Sequence, residues 1–181
     1  ETSFKGRYGD LNFKGNLKIL EQLVSQRLNQ VGPKNARWVS QIKNLSIEES
    51  IELAMKIVRA SIDYYLIDRD ENYSHEQRSI ISVLCHGKGD CDKYSGAFSL
   101  VFDVFKKHNS KLANIYVRSI SRKLLHRKDS QIGHSWNEII VVGEDKIQVS
   151  HVDLTWQDNL KTAGRLSVSY THLTLPTNDR V

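Results

Sequence analysis

The apolar positions of this chain follow a helical period up to about residue 109 and an alternating one beyond it. Leu17, Leu20, Val24 and Leu28 share one helical face, which predicts an amphipathic helix from about Leu17 to Gln30, stopped by Gly32-Pro33. Ser46-Ile47-Glu48-Glu49 has the form of a capping box, in which Ser46 caps the first turn and Glu49 reaches back to it. The helix it opens is expected to run to about Leu66 and to bury Ile47, Ile51, Ala54, Ile57, Val58 and Ile62. Asp68 to His75 is a polar loop, Glu76 to Cys85 a short helix, and Gly87-Lys88-Gly89-Asp90 a turn. Ala97, Leu100, Val101, Val104 and Phe105 then share a face, so a further helix follows the turn and ends near Lys107-His108-Asn109.

From there the period falls to two. Ala113 to Ile120, His134 to Val142 and Lys146 to Val152 are predicted strands. Helices first and strands later predict an α+β domain with an antiparallel sheet. The expected division is a lead-in and first helix over 1–44, a core over 45–163 and a tail over 164–181. Ser167 to Thr177 breaks the pattern and reads as non-native, poorly packed sequence; the competing reading is an edge strand ended by Pro176.

Composition narrows the classes. With 181 residues, 39% apolar and 26% charged, the chain suits one globular domain with a substantial core. No apolar run approaches the about 18 residues that span a bilayer. The opening Glu1-Thr2-Ser3-Phe4-Lys5 has neither an initiator Met nor an apolar signal core, so a processed product or fragment is expected and the compartment stays open. Much of the +5 charge lies in Arg118, Arg122, Lys123, Arg127 and Lys128, with His126 among them. That stretch is either a solvated loop or a basic rim attracting an acidic substrate or nucleic acid. Zinc-finger spacing, basic heptads and RNA-binding aromatic motifs are all absent, so no specific nucleic-acid partner is expected.

Two cysteines, Cys85 and Cys91, are too few for a disulfide framework, which leaves each thiol to burial or to chemistry. Cys85 is expected to be a small core residue at a helix end. Cys85, His86, Cys91, His134 and His151 lack the pair-plus-pair spacing of a zinc site, so no metal and no cofactor is expected.

Cys91 follows the Gly-rich turn and opens a helix. The unpaired N–H groups and positive end of a helix favour a thiolate, and are expected to lower the thiol pKa. The same amides can supply part of an oxyanion hole. A thiol nucleophile also needs a base, usually a histidine held by a third group. His134 opens one strand in Gly133-His134-Ser135-Trp136-Asn137-Glu138, and Asp153 closes the next in His151-Val152-Asp153-Leu154-Thr155-Trp156. A hairpin with Gly143-Glu144 as a type II′ loop pairs Val142 with Asp145 and sets His134 opposite Asp153. It also groups Trp136, Ile140 and Val142 with Ile147 and Val149 on one face. His151 shares the His134 face, as a half-buried sheet residue or as part of the cleft wall. Tyr64 and Tyr65 are expected to pack, with their hydroxyls at the surface.

Gly87-Lys88-Gly89-Asp90-Cys91-Asp92-Lys93-Tyr94-Ser95-Gly96-Ala97-Phe98 resembles the nucleophile segment of transglutaminase-like proteins. His134-Ser135-Trp136-Asn137-Glu138 resembles their histidine strand, and Val152-Asp153-Leu154-Thr155-Trp156 their aspartate motif. The three motifs keep the family's order and span roughly residues 45–158. The resemblance implies a papain-like α+β fold, N-terminal helices with the nucleophile at a helix N-terminus packed on a C-terminal antiparallel sheet. It implies acyl transfer on protein or peptide amides through a thioester, with water or an amine as acceptor. Carried over, Cys91 is the nucleophile, His134 the base and then acid, and Asp153 its orienter. Gly89, Asp90, Trp136 and Trp156 would contact substrate, the two tryptophans as walls. One departure stands out: no upstream Gln or Trp completes an oxyanion hole, since Gly87, Lys88 and Gly89 occupy those positions. The alternative is a catalytically inactive binding or scaffold module on the same fold.

Overall fold

The computed structural model describes residues 13–31, 38–67, 70–74, 76–126, 130–155 and 169–174. The elements run α1 (Phe13–Val31), α2 (Trp38–Lys43), α3 (Ile47–Ser61), β1 (Asp63–Tyr64), α4 (Ile80–His86), β2 (Lys88–Gly89), α5 (Cys91–His108), β3 (Ile115–His126), β4 (Ser130–Val142), β5 (Lys146–Val152) and β6 (Ser169–Thr174). Helices precede the main sheet, an antiparallel meander in the order β3-β4-β5-β6. The expected α+β class is therefore present. None of the described helices is long and apolar enough to cross a membrane.

The middle of the fold is α5. Tyr94, Ala97, Phe98, Val101, Phe102, Val104 and Phe105 are all buried, because α1 to α4 cover one side of the helix and β3 and β4 the other. Each phenylalanine buried this way contributes about 1.5–3 kcal/mol relative to leaving it in water. The Tyr94 hydroxyl donates to the Ile62 carbonyl over 2.5 Å, tying α5 to the end of α3. At the far end, buried Asn109 donates to the carbonyls of Ile42 and Leu45 and accepts from the Lys111 N–H. That side chain closes the α2–α3 connection against the exit of α5.

α3 opens on the expected capping box: Ser46 accepts from the Glu49 N–H at 3.1 Å and Glu49 from the Ser46 N–H at 2.7 Å. It ends at Ser61, short of the expected Leu66. Ile62 is extended, and Asp63 and Tyr64 leave the helix to pair in parallel with Lys88 and Gly89. Tyr64 and Tyr65, expected to pack, are exposed over more than a third of their surface, and Leu66 is exposed beside them. Tyr65 meets the Tyr73 ring at 6.1 Å and carries Lys88 Nζ 5.0 Å from its centroid. The short helix also starts later than expected, at Ile80, capped by Ser79. Cys85 sits exposed on its last turn rather than in the core.

The β4–β5 hairpin differs from the expected register by two residues. Val142 pairs with Ile147, Asn137 with Val152, and the Gly143 N–H donates to the Lys146 carbonyl at 2.9 Å, so Glu144-Asp145 form the loop. A type II′ turn starting at Gly143 needs a positive φ there, and among the described glycines that conformation belongs to Gly87. Trp136, Ile140 and Val142 share a face with Ile147 and Val149 as expected, but that face is not the one buried against α5. Ser135, Asn137 and Ile139 point to α5 and are buried with Ser150 and Val152, while Trp136, Ile140 and Val142 lie on the opposite face. Part of the tail, Ser169–Thr174, pairs with β5 as the edge strand.

Candidate active site

Gly87 ends α4 in the left-handed region, at φ 82°, and turns the chain back toward β1. The Gly87 and Gly89 carbonyls accept from the N–H groups of Asp63 and Tyr65, which pins the two residues of β2. Gly89 is buried where a Cβ would stand 2.7 Å from Lys93 Cβ and 3.0 Å from Val83. Only a residue without a side chain lets β2 pass so close to α5. Asp90, also buried, is the N-cap of α5, and Cys91 is its first helical residue. The half-buried thiol therefore sits at a helix N-terminus, at the end of a short, pinned segment.

β4 crosses this helix end. The Ser135 backbone N–H hydrogen-bonds the Cys91 sulfur, and the Ser135 hydroxyl donates to the Asp92 carboxylate. His134, one residue away, places Nε2 2.5 Å from Asp153 Oδ2, and its ring stacks on Trp136 at 5.9 Å. Asp153 reaches His134 from just past the end of β5. The two-residue register difference explains how the pairing survives: a shift of two returns every side chain to its original face, leaving His134 and Asp153 diagonal rather than opposite.

The thiol differs from its expected state. Burial pushes the Cys91 pKa up, and the neighbouring Asp92 and Asp90 carboxylates push the same way. The N–H groups of Ser135 and Asp92 pull it down, without overturning the rise. The helix end that was expected to lower the pKa carries two carboxylates beside the sulfur.

Of the residues singled out from the sequence, Cys91, His134, Asp153, Gly89, Asp90 and Trp136 lie in or beside this corner. Trp156 lies outside the described residues, as does part of the basic stretch, Arg127 and Lys128. Arg118 instead pairs with Glu138 across the β3–β4 ladder, 2.5 Å from Nη2 to Oε2, and half-buried His151 meets the same carboxylate at 3.3 Å. Thr155, just after Asp153, is buried, and its hydroxyl has no hydrogen-bond partner among the described residues. Sequence reading missed the polar seam under the site. Ser121 and Ser135 are 2.8 Å apart, Ser95 and Ser119 2.7 Å, and Asn137 donates to the Ser95 carbonyl and the Ser99 hydroxyl at 2.9 and 3.0 Å. Its signal was the alternation Ser135, Asn137 and Ser119, Ser121, polar residues two apart on neighbouring strands.

No family model and no curated protein matches the sequence. Among solved structures, one described as the crystal structure of a TGase is similar with a TM-score of 0.50 at 11% identity, over 97% of this chain and 38% of that chain. The chain thus spans well under half the length of that protein, and at this identity the likeness concerns the fold alone. The chain is an α+β domain with a fold similar to that of a TGase.

Proposed function

We propose that this domain is a cysteine-nucleophile acyl transferase acting on protein or peptide amides, as a transglutaminase, deamidase or peptidase does. The observation that carries the reading is the corner itself. A thiol at a helix N-terminus contacts the strand that carries His134, whose Nε2 is 2.5 Å from Asp153. With Nε2 engaged by the carboxylate, Nδ1 is the ring nitrogen that takes the thiol proton.

The thiolate then attacks the amide carbonyl, forming the S–C bond of a tetrahedral intermediate. N–H groups at the start of α5 face the developing oxyanion. Collapse breaks the C–N bond, and the imidazolium returns its proton to the departing ammonia or amine, leaving a thioester. Water or a second amine, deprotonated by His134, attacks the thioester carbonyl and releases the thiol. Asp153 stabilises the imidazolium present between the two proton transfers. The raised thiol pKa suits this order, because a neutral thiol needs its base at the moment of attack. Trp136 stacked on His134 provides a wall for the acyl chain, and exposed Arg122 on the same outer face favours an acidic peptide.

The test is ammonia release from a panel of glutamine- and amide-bearing peptides, each with and without a primary amine. The expected result is release that Cys91→Ser abolishes, with a Cys91-linked acyl adduct seen by mass spectrometry. Peptide incorporation of the amine identifies cross-linking, and release alone identifies hydrolysis. Undiminished release by Cys91→Ser, or no adduct and no release with any peptide, overturns the reading in favour of an inactive binding module.

A further inference from the structure

Asp92 and Ser135 meet directly above the polar seam between α5 and the sheet. Asp92 is the second residue of α5, next to the nucleophile, and Ser135 the residue after His134. The Ser135 hydroxyl donates to Asp92 Oδ1 and lies 2.8 Å from the Ser121 hydroxyl on β3, so one carboxylate holds two strands through a chain of hydroxyls. Ser135 is 3% exposed, and its backbone N–H is the one that contacts the Cys91 sulfur. Side chain and amide of one residue therefore grip consecutive residues of α5.

We propose that the Asp92–Ser135 pair is a positioning clamp that holds the β4 amide against the Cys91 sulfur and fixes the strand that carries His134. The proposal rests on the acyl-transfer reading for its importance, though not for its detection. Asp92 has two opposed effects on the thiol. Its charge disfavours the thiolate through space, while its grip on Ser135 keeps in place an N–H that favours the thiolate. Removing charge and removing grip should thus act in opposite directions. The charged groups contributed by the elements around the sulfur are Asp90, Asp92 and Lys93 on its own turn, His134 on β4 with Asp153 behind it, Lys88 on β2 and His86 on α4.

The experiment is the pH dependence of iodoacetamide alkylation at Cys91, measured on the full chain in a Cys85→Ser background, since Cys85 is exposed and would react as well. Asp92→Asn removes the charge but keeps an oxygen that accepts from Ser135; Asp92→Ala removes both. The clamp requires the inflection of Asp92→Asn to fall below that of the parent. It requires the inflection of Asp92→Ala to lie above that of Asp92→Asn by about one unit, a tenfold difference in thiolate fraction near neutral pH. Ser135→Ala should raise the inflection by a similar amount and lower kcat about tenfold with KM unchanged, while Ser135→Thr, which keeps the hydroxyl, restores both. Coincident Asp92→Asn and Asp92→Ala curves overturn the proposal, even if Ser135→Ala fails to fold. Alkylation needs no substrate, so a chain that turns over nothing can still display the clamp, and an active chain with coincident curves loses the clamp alone.

Discussion

Replacing Asp153 tests the geometry on which the chemistry depends. Its carboxylate lies 2.5 Å from His134 Nε2, with side-chain exposures of 30% for Asp153 and 13% for His134. While the imidazole is neutral the contact is an ordinary hydrogen bond. Once His134 has taken the thiol proton it becomes a charged pair. Two unit charges about 4 Å apart at an effective dielectric of about 20 attract by about 4 kcal/mol, an upper value here because Asp153 is partly in water. A charge-assisted hydrogen bond contributes about 1.5–3 kcal/mol, so a loss of about 2–3 kcal/mol in the transition state is expected. That corresponds to a fall in kcat of about 30- to 150-fold. Asp153→Asn should be at least as slow as Asp153→Ala, because the new amide can donate to Nε2 and favour the tautomer whose proton sits on Nδ1, where it cannot accept from the thiol. The assay is ammonia release at saturating peptide, with Cys91 alkylation without substrate and thermal unfolding as controls for an intact site. Variants within about twofold of an active wild type would refute the reasoning, since the carboxylate would then do nothing for the imidazolium.

Two further expectations concern the scaffold that holds the site. Tyr94→Phe removes the 2.5 Å hydrogen bond to the Ile62 carbonyl and leaves a buried acceptor unpaired. It should cost about 1–3 kcal/mol, read as a midpoint lowered by about 2–10 °C in thermal unfolding followed by circular dichroism. Gly87→Ala forces a Cβ into the left-handed region and to 3.3 Å from the Ser61 carbonyl, so it should destabilise by about 1–2 kcal/mol. Gly87→Asn should cost less, as asparagine tolerates that conformation, and equal stability of the alanine variant would show that the turn is not strained.

The legible parts of this fold were those fixed by local chemistry. The capping box at Ser46 and Glu49, the helix from Cys91 and the switch to period two are each determined within a few residues, and each is present in the structure. The misread parts depended on distant partners. Ile62 to Leu66 continues a helical apolar pattern, but Asp63 and Tyr64 pair with residues 88 and 89, a contact that periodicity does not carry. The sheet's face grouping was legible, but which face is buried was not, for a related reason. Trp136, Ile140 and Val142 are more apolar than Ser135 and Asn137, yet the serine and asparagine are buried because the first turns of α5 offer them partners. Burial there follows hydrogen bonding rather than hydrophobicity. The pairing of His134 with Asp153 was legible despite a wrong register, since parity, and not the exact opposite number, decides which side chains share a face.

The sequence Asp90-Cys91-Asp92 sets a physical problem that the fold answers. A helix N-terminus favours a thiolate through its N–H groups, but here each neighbour in the chain is a carboxylate, and burial removes water that would screen them. Two acidic neighbours work against a preformed thiolate, so the proposed acyl transfer needs a base at the moment of attack, and that base has to be held. The carboxylate that does most harm electrostatically, Asp92, is also the one bonded to Ser135 on the histidine strand, while Asp153 secures the far side of the same imidazole. Under the proposed acyl transfer, such a site gives up resting reactivity and relies on its base at the moment of attack. Its Cys91 should therefore alkylate slowly at neutral pH while an amide bound in register still reacts, and a thiol that alkylated rapidly at pH 6 would mean that the carboxylates do not face it.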